Sequence, residues 1–466
     1  MVWRQKQLFN VNSNSTLAPE RTDIPRFQVL FLPIFIEQLF SMLLGNIDVL
    51  MLSQYSDEAV AAVGMANQLV MVGLMILGIV ALGSSVQLMQ LVSSSKQHYL
   101  KSVIKHSIYL NVMISLGLAL VFFLFGRRFL TWVQTPVELL DGAYTYLVIV
   151  GVSLIFQSIT TSMSTVFRSF AIVKIVMVIS IITNVLSILG NYIVLLSPWD
   201  FLGTGIAGVA NSTIIARFVG SALMIIYFIV LLPQHRDAFR TLKLEKSTVQ
   251  SIFKLGFPSA MENISYTTSQ MIITGIIATF GTAMITSKIY TQNITTIIFT
   301  LAASISMANQ VIVGRYIGLN LKQNAKQYTK KVMFRSLGVA LVTSVILAVS
   351  GSFIIGLFTE DPLIRHTVLT LIWLSVFLEP GRMANEILIG ALNTAGDVKF
   401  PTMISILFTF LFTVPMSFLI GVYFGYGLVG VWIVFILDEW ARAIIMYIRW
   451  SKDSWQEIQI FEQERI

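Results

Sequence analysis

A chain of 466 residues that is 56% hydrophobic and only 12% charged lies far from the roughly 25% charged composition of soluble domains, which excludes an ordinary water-soluble globule. The absence of cysteine excludes disulfides and thiolate metal sites. The net charge of +8 raises nucleic acid as a partner until its distribution is read, and no P-loop occurs that would cradle the phosphates of ATP.

A membrane-spanning helix needs about 20 largely apolar residues. By that measure the sequence predicts twelve, near 28–52, 59–92, 103–125, 142–167, 172–196, 205–232, 255–279, 284–318, 332–358, 364–390, 399–422 and 428–450. The apolar runs are unbroken and not alternating, which excludes a β-barrel. A polar tail, 1–27, precedes the first run, and no cleavable signal peptide is expected.

Ionisable groups inside spans carry the functional argument, because each costs about 2.5–3.5 kcal/mol on insertion scales. The first helix holds Glu37 and, eleven residues on, Asp48, a spacing of almost three turns that puts both acids on one face. A carboxylate in low dielectric can exchange a proton near neutral pH or hold Na⁺, and Asp48 is read in that role. The second and eighth helices are long enough to suggest tilt. Arg168 and Lys174, flanking the fourth-to-fifth loop, read as topology signals. Gly203, Gly205 and Gly208 have the spacing of a dinucleotide fingerprint but follow a membrane helix, so a tight turn and a close helix contact are expected. Arg217 lies deep in the sixth helix, and its neighbours in sequence give it no role.

The segment 233–254 is the longest polar stretch between helices and is read as the linker between two halves. Beyond it, Glu262 lies in the seventh helix, and Lys288 near the start of the eighth is expected to snorkel outward. The tenth helix carries Glu379–Pro380–Gly381–Arg382 and then Glu386. Arg382 is three and four residues from the two acids, so the three can meet on one face as a structural clasp or a gating cluster. Pro380 and Pro415 would kink their helices. Asp438, Glu439 and Arg442 in the last helix are expected nearer a membrane end, in a structural role.

Of the 31 Lys and Arg residues, 24 fall in 1–27, 93–107, 168–174, 233–255, 315–335, 393–400 and 449–466; the intervening loops hold three, Arg127, Arg128 and Arg365. This is the positive-inside pattern, which puts both termini and the linker in the cytoplasm. The basic excess is thus a topology signal, and no nucleic-acid partner is expected.

The two halves repeat at an offset of 225. Pro33 and Glu37 fall on Pro258 and Glu262, Lys101 on Lys326, Lys174 on Lys399 and Ser180 on Ser405. Near the end Gly203–Gly205–Gly208 returns as Gly425–Gly427–Gly430 at an offset of 222. Each half has an even number of spans, so the repeat is parallel, as in transporters whose two bundles rock about a central site. Asp48 falls on Ile273, so the halves are not chemically equivalent. The expected domains are a tail at 1–27, an N-lobe at 28–232, the linker at 233–254, a C-lobe at 255–450 and a second tail at 451–466.

On these pieces the chain resembles the multidrug and toxic compound extrusion (MATE) family from about Phe27 to Arg449. They are Leu32–Pro33 with Asn46–Ile47–Asp48, Gly256–Phe257–Pro258, the run Gln310 to Gly318, and Ala391 to Asp397. The resemblance implies an all-α polytopic membrane protein with twelve transmembrane helices in two six-helix lobes. It also implies antiport of organic cations against H⁺ or Na⁺ by alternating access. The coupling and substrate candidates are Asp48, Glu37, Glu262, Glu379, Arg382 and Glu386, with Na⁺ placed at Asp48 or between Glu262 and Glu379. No cofactor beyond the coupling ion is implied. The expected partners are amphipathic organic cations and the lipid bilayer of the plasma membrane, and the chain is expected to be a monomer. A lipid-linked oligosaccharide flippase shares this frame but would need a basic cavity for phosphates. A membrane-embedded enzyme would need clustered catalytic residues, whereas the histidines at 98, 106, 235 and 366 are scattered.

Overall fold

The computed structural model describes residues 24–96, 98–196, 203–239, 244–458 and 460, and the side chains of 45–50, Asp48 among them, lie outside the described parts. Twelve long helices follow one another: α1 Phe27–Tyr55, α2 Asp57–Leu91, α3 His98–Trp132, α4 Val137–Ser169, α5 Val173–Leu196, α6 Gly205–Leu231, α7 Lys246–Ala278, α8 Thr282–Gly318, α9 Lys322–Gly356, α10 Pro362–Thr394, α11 Lys399–Tyr423 and α12 Gly427–Ser451. Ten are long and apolar enough to cross a membrane, and α7 and α12 fall short of that test. In α7 the Ser, Thr, Asn and Gln content lowers the hydropathy, and in α12 Asp438, Glu439 and Arg442 sit together in mid-helix.

Local chemistry sets the helix ends. Ser56 caps α2 by accepting from the Ala59 N–H at 3.3 Å. Asp361 caps α10 by accepting from the Leu363 and Ile364 N–H groups at 2.8 and 3.1 Å, with Pro362 at the position where its missing N–H costs nothing. The glycine turns are tight, as expected: Gly203 and Gly205 have φ of 86° and 59°, and Gly425 and Gly427 have 75° and 56°. Left-handed backbone of this kind favours glycine. The repeat is therefore visible in backbone conformation. It is visible in boundaries too, since α4 and α10 differ by 225 at both ends.

Several expectations shift. The basic segments Lys246–Lys254 and Lys322–Lys331 are helical, so α7 and α9 start about nine residues earlier than the apolar runs. Lys, Gln and Ala are good helix formers and extend a span past its apolar core. Length does not single out α2 and α8, because α3 and α9 also run to 35 residues. Pro380 lies in an unbroken helix, whereas Pro415 sits between two π-helical turns, Thr409–Thr413 and Leu419–Tyr423. The wider turn accommodates a ring that would otherwise clash with the carbonyl four residues back.

Helices α1–α6 and α7–α12 form two lobes. They meet toward the side that carries Phe27, the α6–α7 link and Ser451, here called the linker side. The closest approach is the α2–α7 crossing, where Gly83 lies against the Ile252 carbonyl and Gly256 against the Ile79 carbonyl with no room for a Cβ on either. Further along, Gln90 Nε2 donates to the Thr394 carbonyl at 2.6 Å, Ser93 Oγ to the Arg315 carbonyl at 3.0 Å and Arg315 Nη2 to the Ser169 carbonyl at 3.2 Å. At the start of α7, His106 Nε2 accepts from the Glu245 N–H at 2.7 Å, and Ser102 Oγ donates to Glu245 Oε2 at 2.8 Å. That second bond holds the Glu245 carboxyl below the usual carboxylate range, against a smaller opposing effect of burial. The segment after α12 is also docked. Trp455 stacks on Trp450 at 4.1 Å, and Ile460 packs against Val86, Leu255 and Val398.

Candidate functional site

A cavity of about 360 Å³ opens among α7, α8, α10, α11 and α12, entirely within the second lobe. Helix α7 contributes Tyr266, Ser269 and Gln270, and α8 contributes Gln292, Asn293, Thr295, Thr296 and Phe299. The π-helical stretch of α11 brings Thr409 and Thr413, and α12 adds Trp432 and Phe435. The remaining wall is Leu378 and a charged group: Glu379 and Arg382 from α10, and Asp438, Glu439 and Arg442 from α12.

Those five groups form one alternating chain. Arg382 Nη1 donates to Glu379 Oε1 at 2.9 Å, and its Nε lies 3.5 Å from Glu439 Oε1. Arg442 Nη2 lies 3.2 Å from the same Glu439 oxygen, and its Nε donates to both Asp438 oxygens at 3.1 Å. Asn385 Nδ2 occupies Glu439 Oε2 at 2.9 Å. Three carboxylates and two guanidiniums leave one net negative charge. Buried charges are tolerable only when paired and hydrogen-bonded, and here each member has a partner. Gly381 permits the packing, because a Cβ there would meet the Trp440 indole at 2.9 Å.

This corrects two expectations. Arg382 bridges Glu379 to Glu439 of α12, and Glu386 is not its ion-pair partner: Glu386 lies one turn further toward the linker side. Among the described residues no cation lies within 4 Å of the Glu386 carboxylate, which sits in the field of Glu262, Glu439, Arg442 and Arg382. The Asp438 group is not near a helix end but is the twelfth of 25 residues in α12, level with the cavity. Counting from the expected start of that helix already put it in mid-span.

Glu262 accepts from Ser405 Oγ at 3.0 Å and faces Arg442 and Glu439. Glu379 is bound to Arg382, so the two acids of the expected Na⁺ pair share no partner. Among the described residues no three His, Asp or Glu side chains converge as a metal site would need. In the first lobe Glu37 Oε1 pairs with Arg168 Nη2 at 2.7 Å, so Arg168 does more than set topology. Asp48 lies in α1, with its side chain outside the described ones. Arg217 Nη1 donates to Ser153 Oγ at 2.7 Å. Lys288 does not snorkel: it is buried, with Nζ donating to Thr274 Oγ1 at 2.6 Å. The cavity's amide and hydroxyl wall on α7 and α8 was missed. Its signal was the low hydropathy of α7, a helix too polar for lipid on every side.

Known proteins share this frame. The MatE family profile matches residues 33–193 and 258–419, one match in each lobe. The chain is 37% identical to YisQ of Bacillus subtilis, described as an uncharacterized transporter, over 91% of this chain and 93% of that protein. It is 24% identical to NorM of Thermotoga maritima, described as a probable multidrug resistance protein, over 94% of each. Among solved structures, the fold matches the Vibrio cholerae MATE transporter VcmN with a TM-score of 0.85 at 18% identity, over 94% of this chain and 98% of that one. It also matches a multidrug resistance MATE family transporter of the MOP superfamily in an outward-facing conformation, with a TM-score of 0.83 at 16% identity over 91% and 94%. With the duplicated profile covering most of both lobes, this integral membrane chain belongs to the MatE family of multidrug and toxic compound extrusion transporters.

Proposed function

We propose that the chain is a secondary active antiporter that exports amphipathic organic cations from the cytoplasm against H⁺ or Na⁺. In this reading both termini and the α6–α7 link face the cytoplasm, the protein acts as a monomer in the plasma membrane, and the lobe contacts on the linker side close the cytoplasmic path. The observation that carries the reading is the five-member charge chain in the cavity wall. Its single net negative charge, beside Tyr266, Trp432 and Phe435, suits a cation with an aromatic or apolar body. The same charge disfavours the flippase alternative, whose phosphates would meet three carboxylates.

Coupling follows from competition. Glu262 and Glu386, two acids without a cation within 4 Å among the described residues, lie beside the charge chain. Loading either with a proton or Na⁺ removes negative charge from the field that holds the substrate, which favours its release and repacking of the lobe. Asp48 is the corresponding candidate in the first lobe.

The test is flux of a fluorescent organic cation into proteoliposomes under imposed proton or Na⁺ gradients. Gradient-driven uptake is expected, and a flux indifferent to both gradients would end the antiport reading. Asp48→Asn keeps size and hydrogen bonding but cannot exchange a proton or neutralise a cation, so it is expected to abolish coupled export while leaving the protein folded. Topology is testable separately: in this cysteine-free chain, Ser247→Cys should resist impermeant thiol reagents added to intact cells, and its labelling from outside would invert the assignment.

A further inference from the structure

Lys288 is a buried ammonium with no carboxylate within 4 Å among the described residues. It is 3% exposed, and Thr274 Oγ1 is its hydrogen-bond acceptor. Removing an ammonium from water costs several kcal/mol unless a counter-charge compensates it, and an ammonium has three donors. The fold does not need it: at the 225 offset its counterpart is Val63, an apolar residue buried at the same place in the first lobe. Its position gives it a use. Lys288 lies one turn from Gln292 and two from Thr295 on one face of α8, and Thr274 lies one turn from Gln270 on α7. All three of those neighbours line the cavity. The cavity lining thus carries its net negative charge on the α10–α12 wall, and the Lys288 ammonium stands outside that lining, one helical turn beyond the amide wall of α7 and α8.

We propose that Lys288 is a specificity-determining residue that receives the anionic end of a zwitterionic substrate, an amphipathic molecule carrying a cationic centre and a carboxylate or comparable anion. This deepens the cation-export reading and rests on it. The cationic centre faces Glu379 and Glu439, and the anion enters between Gln270 and Gln292 to take the free donors of Lys288. A charge-assisted hydrogen bond in a dry site discriminates strongly against a ligand that lacks the anion.

The test uses two probes of one chromophore: a rhodamine with a free carboxylate, which is a zwitterion, and its methyl ester, which is a cation. Uptake of each is measured in proteoliposomes, and binding to the purified full chain is measured by quenching of tryptophan fluorescence. The parent is expected to prefer the free acid. Lys288→Met should lower transport and binding of the acid by roughly tenfold or more and leave the ester unchanged or improved, and Lys288→Arg should restore the acid. Lys288→Gln serves the same comparison if Lys288→Met does not fold. An unchanged acid-to-ester ratio in Lys288→Met or Lys288→Gln overturns the proposal, even with robust ester transport that upholds cation export. If neither dye is transported but the acid binds in a Lys288-dependent way, the export reading falls and the site stands.

Discussion

The two lobes are built on one frame and have been given opposite electrostatics at the same place. At the offsets of 225 and 222, Glu379 corresponds to Leu154, Arg382 to Gln157, Asp438 to Ala216, Glu439 to Arg217 and Arg442 to Gly220. Where α10 and α12 carry a five-member charge chain, the corresponding five positions of α4 and α6 hold one guanidinium, that of Arg217, bonded to Ser153. Arg217, opaque in the sequence, is thus the charge-reversed partner of Glu439. Helix packing tolerates either solution, because α4 and α10 keep both ends at the 225 offset and α6 and α12 start 222 residues apart. The charge chain is therefore an addition to the frame and not a requirement of it, and in the proposed function the C-lobe is the lobe that meets the charged substrate.

The largest effect should come from cutting that chain. Arg382→Met leaves Glu379 uncompensated in a buried wall and Glu439 with Arg442 alone, the kind of change that costs about 3–5 kcal/mol. Thermal unfolding in detergent should show a large drop, and Arg382→Met combined with Glu379→Gln should recover part of it. Pairing Arg382→Met with Glu386→Gln should recover less, because Glu386 is not a direct partner. The corresponding change in the first lobe, Gln157→Met, should stay within about 0.5 kcal/mol of the parent. Equal losses at Arg382 and Gln157 would show that the lobes do not differ in the way described.

A smaller effect separates the repeated acids. Glu37 is neutralised by Arg168, whereas Glu262 has Ser405 and no cation within 4 Å among the described residues. Glu262→Gln is expected to lower gradient-driven flux by roughly tenfold, a typical size for coupling between two ligands. Glu37→Gln should leave flux per folded molecule within about twofold and show its cost in stability, through an unpaired Arg168. Flux normalised to folded protein decides it. A Glu37→Gln variant that folds normally but does not couple would move the first lobe into the mechanism.

What was legible in the sequence follows from what sequence spacing encodes. Helix number, the repeat and the left-handed glycine turns depend on local periodicity and on φ, so Gly203 and Gly425 announced themselves. Pairing within a turn was half legible: Arg382 with Glu379 follows from spacing, but its second partner, Glu439, lies on another helix and no spacing rule reaches across. Lys288 was misplaced for a related reason. A lysine near a helix end snorkels when lipid surrounds it, and nothing local tells that Thr274 of α7 holds this one in a buried position. Arg168 looked like a topology marker because its acid lies 131 residues away in α1.

The smallest effect concerns how each lobe ends. Both close in a short 3₁₀ turn on the linker side, Pro233–Phe239 after α6 and Asp453–Glu457 after α12. The second packs Trp455 on Trp450, while the first packs His235 near Phe170, with ring centroids 5.4 Å apart. Only the first of these two turns holds an imidazole. Burial, and then the charge of Lys101, lowers His235 from the ordinary 6.5 to about 4. The folded ring therefore stays neutral where the unfolded chain takes up a proton. Its contribution to stability is complete above about pH 6.5, declines as pH falls toward 4, and changes no further below that. Between pH 7.5 and 4.5 the parent should lose a few degrees more of melting temperature than His235→Phe, roughly 2 °C given partial solvent screening. Trp455→Phe, the control in the other lobe, should follow the slope of the parent. If His235→Phe also runs parallel to the parent across that range, the ring is not held neutral and the two lobe ends do not differ in their response to acid.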